Sequence, residues 1–364
     1  MIRSPLAQAA RDRARQMQAQ LIAAGAQVVD ADILQPASVL LDLYGEDIRA
    51  RAYVTHDPLR GELMLRPDFT VPLVRAHMQG GAGAATYTYL GEVFRAQELD
   101  ETRPSETLQL GYECFGGADP AMADAEVFAT IATLLSAVSV RPATGDIGIL
   151  RAAVLGLNTT ERRKAALLRH LWRPRRFRAL LDRFGGRSTT PARRAALLAQ
   201  ADPLANLPPV IGLRNAAEIA ARIDALREDA AADPISGTEQ ELIDAILSLR
   251  ETAPNVLVAL RDISVDLPQI GPAVDRLSAR LEALAARGVD VENLPFEGSY
   301  GRTSMEYYDG FVFGFYDDAR PDLPPLATGG RYDALTAVLG GGTGVPAVGG
   351  VIRPEQVLAL EAAT

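Results

Sequence analysis

The 364-residue sequence has very little of the residues on which several kinds of functional site are built. It contains one cysteine, Cys114, so it can form no intrachain disulfide, which is consistent with a reducing compartment. Its three histidines, His56, His77 and His170, are far apart and lack the spacing of a metal site. The sequence therefore predicts no bound metal and no cofactor.

Long apolar runs and an excess of positive charge are also missing. No apolar run reaches the roughly 18 residues of a membrane helix, and the N-terminus has no signal-peptide pattern. The formal net charge is -9, whereas a surface for nucleic acid needs clustered Lys and Arg. We therefore expect a cytoplasmic protein that binds neither membrane nor nucleic acid.

One segment departs from this acidic balance, because residues 162–187 mix many basic side chains with Trp172. The basic residues are Arg162, Arg163, Lys164, Arg169, Arg173, Arg175, Arg176, Arg178, Arg183 and Arg187. Leucines recur among them at helical spacing, at Leu167, Leu168, Leu171, Leu180 and Leu181. RNA or an anionic substrate would suit the basic residues, but we favour a solvated helical face or a protein contact.

Two strand-like runs joined by a polar loop are the most informative part of the chain. The first, residues 86–90, leads into Phe94-Arg95, and the second covers residues 108–115. In an antiparallel hairpin, two-residue alternation puts Gln109, Gly111 and Glu113 on one face. A carboxamide and a carboxylate separated by glycine suit a small ligand with donor groups. From this segment alone, an ordinary strand whose polar residues face water is equally compatible.

Five blocks of this sequence resemble, in order, the histidine-specific blocks of histidyl-tRNA synthetase. They are LRPDFTVPLVRAHM (65–78), Phe94-Arg95, QLGYECFG (109–116), EYYDGFVF (306–313) and GGRYDAL (329–335). The superfamily includes paralogues that keep the catalytic-domain fold, lose the tRNA-reading C-terminal domain, and serve as the regulatory subunit of ATP phosphoribosyltransferase. That enzyme is the first of histidine biosynthesis. The chain resembles this group over about residues 15–145 and 295–355.

The resemblance implies a binding site for histidine. The residues that match it are Asp68, Thr70, Arg95, Gln109, Glu113, Tyr307 and Tyr308. A zwitterionic amino acid needs an anion for its ammonium group, a cation for its carboxylate, and donor and acceptor groups for its ring. This set supplies all of them.

The family assigns these residues to different parts of the ligand. Asp68, Thr70 and Gln109 match the partners of the ammonium group. Glu113 and Tyr308 match the residues that contact the imidazole nitrogens. Asp68 replaces a glutamate of the family, so its carboxylate reaches one methylene less far.

The same resemblance implies that the chemistry on ATP is lost. Amino-acid activation needs cations that neutralise the charge developing on the α-phosphate of ATP. Arg95 matches the arginine at the ligand carboxylate and α-phosphate. The two further catalytic arginines of the family have no aligned counterpart, and Arg302 and Arg353 lie beside the aligned positions. A one-residue slip in an extended chain turns a side chain to the opposite face.

The part of the family pattern that reads adenine is altered as well, because Gln97 stands where a glutamate is expected and Glu98 comes one place late. The loop from Arg103 to Glu106 lacks a second basic residue. The resemblance therefore implies a non-catalytic regulatory subunit that partners a short-form ATP phosphoribosyltransferase catalytic subunit, is needed for its activity, and gives feedback by histidine. An active histidine-activating enzyme and a scaffold with a non-functional pocket are the alternatives.

The fold class implied is α+β, with a class II aminoacyl-tRNA synthetase-like antiparallel sheet flanked by helices. We expect a core domain from residues 1–145 and 262–364 and a helical insertion at 146–261, where Ala, Leu and Arg dominate between prolines. The segment Val28 to Leu43 fits the dimer-forming first motif of such folds, so the resemblance implies a self-dimer within a hetero-oligomer.

Local patterns predict several elements of this fold. A helix from Pro5 to Ala24 ends at Gly25, and another begins at Asp119-Pro120. A third carries the apolar stripe Val274, Leu277, Leu281 and Leu284. Residues 289–291 and 311–316 are predicted as strands.

Overall fold

The computed structural model describes residues 4–44, 48–49, 51–96, 104–205, 211–303, 307–320 and 323–362, although nothing is said of the side chains of Asp42 and Tyr44. All structural statements below concern these residues. The altered adenine-reading positions Gln97 and Glu98, and Arg103 of the same loop, lie outside them. Glu306, at the start of one family block, also lies outside them.

A nine-stranded sheet forms the centre of the described structure. The strands are β1 (Gln27–Val28), β2 (Leu34–Pro36), β3 (Val54–Asp57), β4 (Gly61–Leu65), β5 (Ala85–Phe94), β6 (Glu106–Phe115), β7 (Arg141–Asp146), β8 (Arg250–Thr252), β9 (Pro295–Glu297), β10 (Phe311–Tyr316), β11 (Ala327–Arg331) and β12 (Ala347–Ile352). The central sheet has the order β1-β5-β6-β12-β11-β10-β7-β9-β8, while β2, β4 and β3 form a second sheet. Neighbours in the central sheet are antiparallel except for the parallel pairs β1–β5 and β7–β9.

Helices flank this sheet. They are α1 (Pro5–Ala23), α2 (Ala37–Tyr44), α3 (Thr70–Gln79), α4 (Pro120–Leu134), α5 (Ile147–Gly156), α6 (Glu161–Arg169), α7 (Pro174–Phe184), α8 (Ala192–Leu198), α9 (Ala216–Ala231), α10 (Gly237–Ser248), α11 (Ala253–Asp266), α12 (Gly271–Ala285), α13 (Asp333–Leu339) and α14 (Pro354–Glu361). In the parts of the chain that are described, none of these helices is both long and apolar enough to cross a membrane.

The predicted hairpin is present as β5 and β6, which pair in antiparallel register with Tyr87 opposite Glu113 and Gly91 opposite Gln109. Gly111 is required by close packing, because a Cβ at this position would lie 1.9 Å from the ring of Tyr89. The glycine between the two polar residues therefore makes room for a tyrosine ring from the neighbouring strand.

Three predicted helices are confirmed. α1 begins after Ser4, whose hydroxyl accepts a hydrogen bond from the Ala7 amide at 3.2 Å. α4 begins after Asp119, whose carboxylate caps the first turn. In α12 the stripe of Val274, Leu277, Leu281 and Leu284 is buried.

One strand prediction is confirmed and one is wrong. Residues 311–316 form β10, but residues 289–291 form no strand, and β9 lies at Pro295–Glu297 instead. The three-residue alternation at 289–291 directly follows Gly288, which has a φ of 80°. Phe296 of β9 is buried and lies opposite Thr144 of β7.

Residues 146–261 are mainly helical, from α5 to α11. Within this range β8 pairs with β9 at the edge of the central sheet. Residue 261 falls inside α11, which continues to Asp266. The division of the chain into a core and an insertion stays a prediction.

Four buried charged residues connect the sheet to α4 and α12, and we refer to them as the ionic cluster. Asp124 of α4 accepts hydrogen bonds from Arg280 and Arg331, each at 2.9 Å. Arg280 also donates to Asp146 at the end of β7, at 2.9 Å. All four side chains are at most 7% exposed, so each carboxylate in the cluster is neutralised by a guanidinium.

Candidate functional site

The structure brings all seven predicted site residues to one small cavity. Its lining consists of Asp68, Thr70, Tyr89, Arg95, Gln109, Glu113, Tyr307, Tyr308, Tyr332, Gly350 and Val351. These residues come from the start of α3, from β5, β6 and β12, and from segments next to β10 and β11. We refer to this cavity as the site.

Glu113 lies at the floor of the site and is 2% exposed. Its carboxylate accepts hydrogen bonds from Tyr332 at 2.6 Å, from Thr70 at 3.1 Å and from Tyr89 at 3.3 Å. All three donors are uncharged hydroxyls. Burial raises the pKa of Glu113 to about 7, although these hydroxyls favour the charged form.

A glycine in the neighbouring strand leaves the space that this carboxylate occupies. Gly349 of β12 lies opposite Glu113, and a Cβ there would be 1.5 Å from the Oε2 atom of Glu113. Any other residue at position 349 would displace the carboxylate from the floor of the site.

A second carboxylate and a guanidinium lie on another wall. The Oδ1 atom of Asp68 accepts a hydrogen bond from the Val71 amide at 3.0 Å, at the start of α3. Burial raises the pKa of Asp68, and the Val71 amide and the positive charge of Arg95 oppose this shift. Arg95 donates from Nε to the Pro67 carbonyl at 2.9 Å, which fixes it beside Asp68. Together with buried Gln109, this wall offers both charge signs and an amide.

Tyr307 and Tyr308 close the site. The Tyr307 hydroxyl donates to Thr70 Oγ1 at 3.5 Å, and the two tyrosine rings lie 4.9 Å apart. The Tyr308 carbonyl accepts a hydrogen bond from the indole of Trp172 at 3.2 Å. This hydrogen bond connects the helical region, residues 146–261, to the wall of the site.

The site is nearly filled by its own side chains. The cavity measures about 10 Å³, which is room for about one water molecule. An amino acid is larger than this volume, so it does not fit the cavity in this conformation.

Arg302 and Arg353 are not among the residues that line the site. Arg302 is 4% exposed, and it donates to the Leu171 carbonyl at 2.8 Å. Arg353 donates to the Pro325 carbonyl at 2.6 Å and to Thr328 at 3.4 Å. Burial lowers the pKa of both arginines to about 10. Among the residues that the structure describes, Arg95 is the only cationic side chain lining the site.

Sequence reasoning missed two tyrosines of the site. Tyr332 makes the shortest hydrogen bond to Glu113, and Tyr89 makes another. Tyr332 lies inside the block GGRYDAL, so the resemblance contained the signal but assigned it no role. Tyr89 could be found only from its position opposite Gly111 in the hairpin.

The basic stretch 162–187 forms an amphipathic pair of helices. Leu167, Leu171, Leu180 and Leu181 are buried, and Leu168 is partly buried. Several arginines pair with carboxylates of α9 and α10, such as Arg163 with Asp229 at 2.7 Å and Arg178 with Asp244. The predicted leucine stripe is confirmed, and part of the positive charge is neutralised within the helical region.

Comparisons with known proteins show the family to which the chain belongs. The family model described as histidyl-tRNA synthetase matches residues 3–232 and 215–357. Proteins from Brucella canis and Brucella ovis, both named ATP phosphoribosyltransferase regulatory subunit, are 30% identical over 94% of this chain and 96% of their own length. The chain belongs to the histidyl-tRNA synthetase-like family of ATP phosphoribosyltransferase regulatory subunits.

Solved structures of this family confirm the α+β fold class. A protein from Bacillus halodurans, described as an ATP phosphoribosyltransferase regulatory subunit/histidyl-tRNA synthetase, superposes with a TM-score of 0.70 at 21% identity. The match covers 99% of this chain and 81% of that one. A histidyl-tRNA synthetase from Nostoc gives a TM-score of 0.63 at 17% identity, covering 97% of this chain and 71% of that one. At these identities the likeness concerns the fold alone.

Proposed function

We propose that this chain is the non-catalytic regulatory subunit of an ATP phosphoribosyltransferase in histidine biosynthesis. In this role it is required by a short-form catalytic subunit and confers feedback by histidine. The observation that carries the proposal is the site itself, where buried Glu113 has hydroxyl donors alone, in a chain whose relatives bear that subunit's name.

Histidine suits the charges of the site. Glu113 accepts a hydrogen bond from an imidazole N–H, while Asp68 faces the ammonium group and Arg95 faces the carboxylate. Thr70 and Gln109 add polar partners for the ammonium group. Burying two carboxylates costs free energy, and hydroxyl donors offset that cost only in part. A ligand with two cationic or hydrogen-bond-donating ends would offset the rest.

Feedback requires two states, and the closed cavity of this structure is one of them. Histidine binds when Tyr307 and Tyr308 move outward, so it stabilises the open state relative to the closed one. Because Trp172 donates to the Tyr308 carbonyl, opening also changes how the helical region is held. A catalytic subunit that contacts one state better than the other is thereby coupled to histidine.

Loss of adenylation follows from where the arginines point. Transfer to the α-phosphate of ATP needs several cations around the reacting group. Arg302 binds the Leu171 carbonyl and Arg353 binds the Pro325 carbonyl, so among the described arginines only Arg95 lines the site. Pyrophosphate exchange with histidine and ATP tests this step, and clear turnover would favour a histidine-activating enzyme instead.

A self-dimer is also part of the proposal. Apolar side chains of the first motif and the small sheet lie on the surface, with Val28 60%, Leu34 38% and Val54 43% exposed. A second copy would cover them. Sedimentation of the free chain should give a dimer, and Val54→Glu should shift it toward monomer, whereas Val265→Glu, at an exposed position on α11, should not.

Reconstitution tests the regulatory role. The chain is mixed with a phosphoribosyltransferase too short to carry its own regulatory domain, ideally one encoded nearby in the same genome. We expect copurification, activity in the mixture well above that of the short enzyme alone, and inhibition by histidine. A short enzyme that is fully active alone and ignores this chain would contradict the proposal.

A further inference from the structure

A second, larger cavity lies beside the site and shares Tyr308 with it as a wall. It measures about 290 Å³, which is at the lower end of the range for small-molecule pockets. None of the seven predicted site residues other than Tyr308 lines it. We refer to it as the second cavity.

Hydroxyl groups and aromatic rings line the second cavity. The hydroxyls belong to Ser299, Tyr300, Thr303, Tyr316 and Thr328, and Val312 adds an apolar side chain. Tyr300 and Tyr316 are hydrogen-bonded to each other at 2.9 Å. A Cβ at Gly314 would lie 2.2 Å from the Tyr300 hydroxyl, so the glycine makes room for this pair. Such a lining offers hydrogen bonds to a polar ligand and a surface for its apolar part.

A half-buried cation borders the second cavity at its β12 end. Both hydrogen-bond acceptors of Arg353, the Pro325 carbonyl and Thr328 Oγ1, belong to residues of the cavity wall. Among the residues that the structure describes, no carboxylate pairs with Arg353. Glu297, the acidic residue of the wall, is paired with Arg250 at 2.9 Å. The positive charge next to the cavity is therefore uncompensated within the described structure.

A half-buried charge without a counter-ion keeps only part of its hydration, and a ligand that supplies the counter-ion offsets this cost. Burial lowers the pKa of Arg353 to about 10, and the positive charge of Arg95 adds to this shift. The guanidinium is thus still charged at neutral pH, and its environment favours an incoming anion. Hydroxyl donors around it suit the oxygens of a phosphate or carboxylate group.

We propose that the second cavity binds a small organic anion, whose phosphate or carboxylate group lies next to Arg353 and whose body packs against the tyrosines and Val312. This inference goes beyond the proposed function, because it concerns a ligand other than histidine. It also stands if histidine binds nowhere on the chain.

Calorimetry at constant ionic strength tests the proposal with three probes on the full chain. Ribose 5-phosphate represents organic phosphates, succinate represents carboxylates, and inorganic phosphate represents the group alone. We expect saturable binding of at least one organic probe. Arg353→Gln should weaken it about tenfold or more, which is typical of losing a charge-assisted hydrogen bond.

Two further variants keep the test decisive. Thr303→Trp fills the cavity from an exposed position while leaving Arg353 in place, and it should also abolish probe binding. Arg193→Gln removes an exposed guanidinium of α8, which lines no part of the second cavity, with the same change in charge, and it should bind as the wild type does. Equal binding by all variants, or no saturable binding of any probe, would overturn the proposal.

Discussion

The ionic cluster and the site are two groups of buried acids on opposite faces of one sheet. Gly349 pairs with Glu113 and with Gly330, so these three residues face the site, whereas Arg331, the next residue along, faces α4. In the ionic cluster, guanidinium groups neutralise Asp124 and Asp146. In the site, the donors to Glu113 among the described residues are all hydroxyl groups.

This difference separates a structural role from a binding role. Asp124 lies between two arginines whose positive charges oppose the rise in its pKa that burial causes. Burial raises the pKa of Glu113 to about 7, and none of its hydrogen-bond donors is charged. A carboxylate that its own protein leaves uncompensated is suited to a ligand that brings the missing donor or cation.

The largest expected effect comes from breaking the ionic cluster. Arg280→Ala leaves Asp124 and Asp146 with less compensation in a buried place, so the free energy of unfolding should fall by about 3–5 kcal/mol. Urea denaturation measures this. Arg162→Ala breaks the exposed pair with Glu228. It should lower the free energy of unfolding by no more than about 1 kcal/mol. Similar losses for the two variants would mean that the ionic cluster stabilises the fold no more than an exposed ion pair does.

The next effect is the pH dependence that Glu113 gives to stability. Its folded pKa of about 7 lies above the ordinary 4.5, so the folded state holds the proton more tightly. The stability this provides is fully present below pH 4.5 and is lost as pH rises through 7. This stabilisation amounts to about 3 kcal/mol.

Glu113→Gln isolates this contribution, because the amide does not titrate. Denaturation at pH 5 and at pH 8 should show a smaller fall in stability for the variant than for the wild type. An equal fall in stability for the variant and the wild type would mean that Glu113 does not titrate between pH 5 and pH 8. The electrostatic contrast between the site and the ionic cluster would then be wrong.

A smaller effect is expected from Tyr332→Phe, which removes the 2.6 Å hydrogen bond to Glu113. At pH 8, where Glu113 is charged, we expect a loss of about 1.5–3 kcal/mol. At pH 5 the loss should be smaller, because the protonated carboxyl depends less on this donor. Tyr316→Phe, whose hydroxyl pairs with Tyr300, should lack this dependence on pH. An equal loss for Tyr332→Phe at both values would argue against the charged form of Glu113 as its partner.

The smallest effect is expected from Trp172→Phe, which removes the hydrogen bond to the Tyr308 carbonyl. Stability should fall by about 1 kcal/mol. In the complex with the catalytic subunit, inhibition by histidine should shift to a different concentration. An unchanged inhibition curve would show that the helical region does not take part in coupling.

Much of the fold follows from local patterns. α1, α4 and α12 have buried residues at helical spacing, and the hairpin of β5 and β6 has clear strand alternation. The error at residues 289–291 arose because a three-residue pattern is too short to separate a strand from a loop. β8 and β9 have only three residues each, and their place at the sheet edge depends on distant partners.

The site was predictable as a set of residues but not as a network. The family blocks named seven residues, and all seven line one cavity. The contact of Tyr332 with Glu113 joins residues 219 positions apart, which no local pattern contains. The volume of about 10 Å³ depends on how several tyrosines pack together, so it required the three-dimensional structure.

Calorimetric titration of histidine at pH 7.5 tests the central claim most directly, on the free chain and on its complex with the catalytic subunit. We predict saturable binding to the wild type, weakened about tenfold or more in Glu113→Gln. Glu126→Gln, which changes an exposed carboxylate bonded to Tyr112 outside the site, should bind as the wild type does. Equal affinity in Glu113→Gln, or no binding in either the free chain or the complex, would contradict the account.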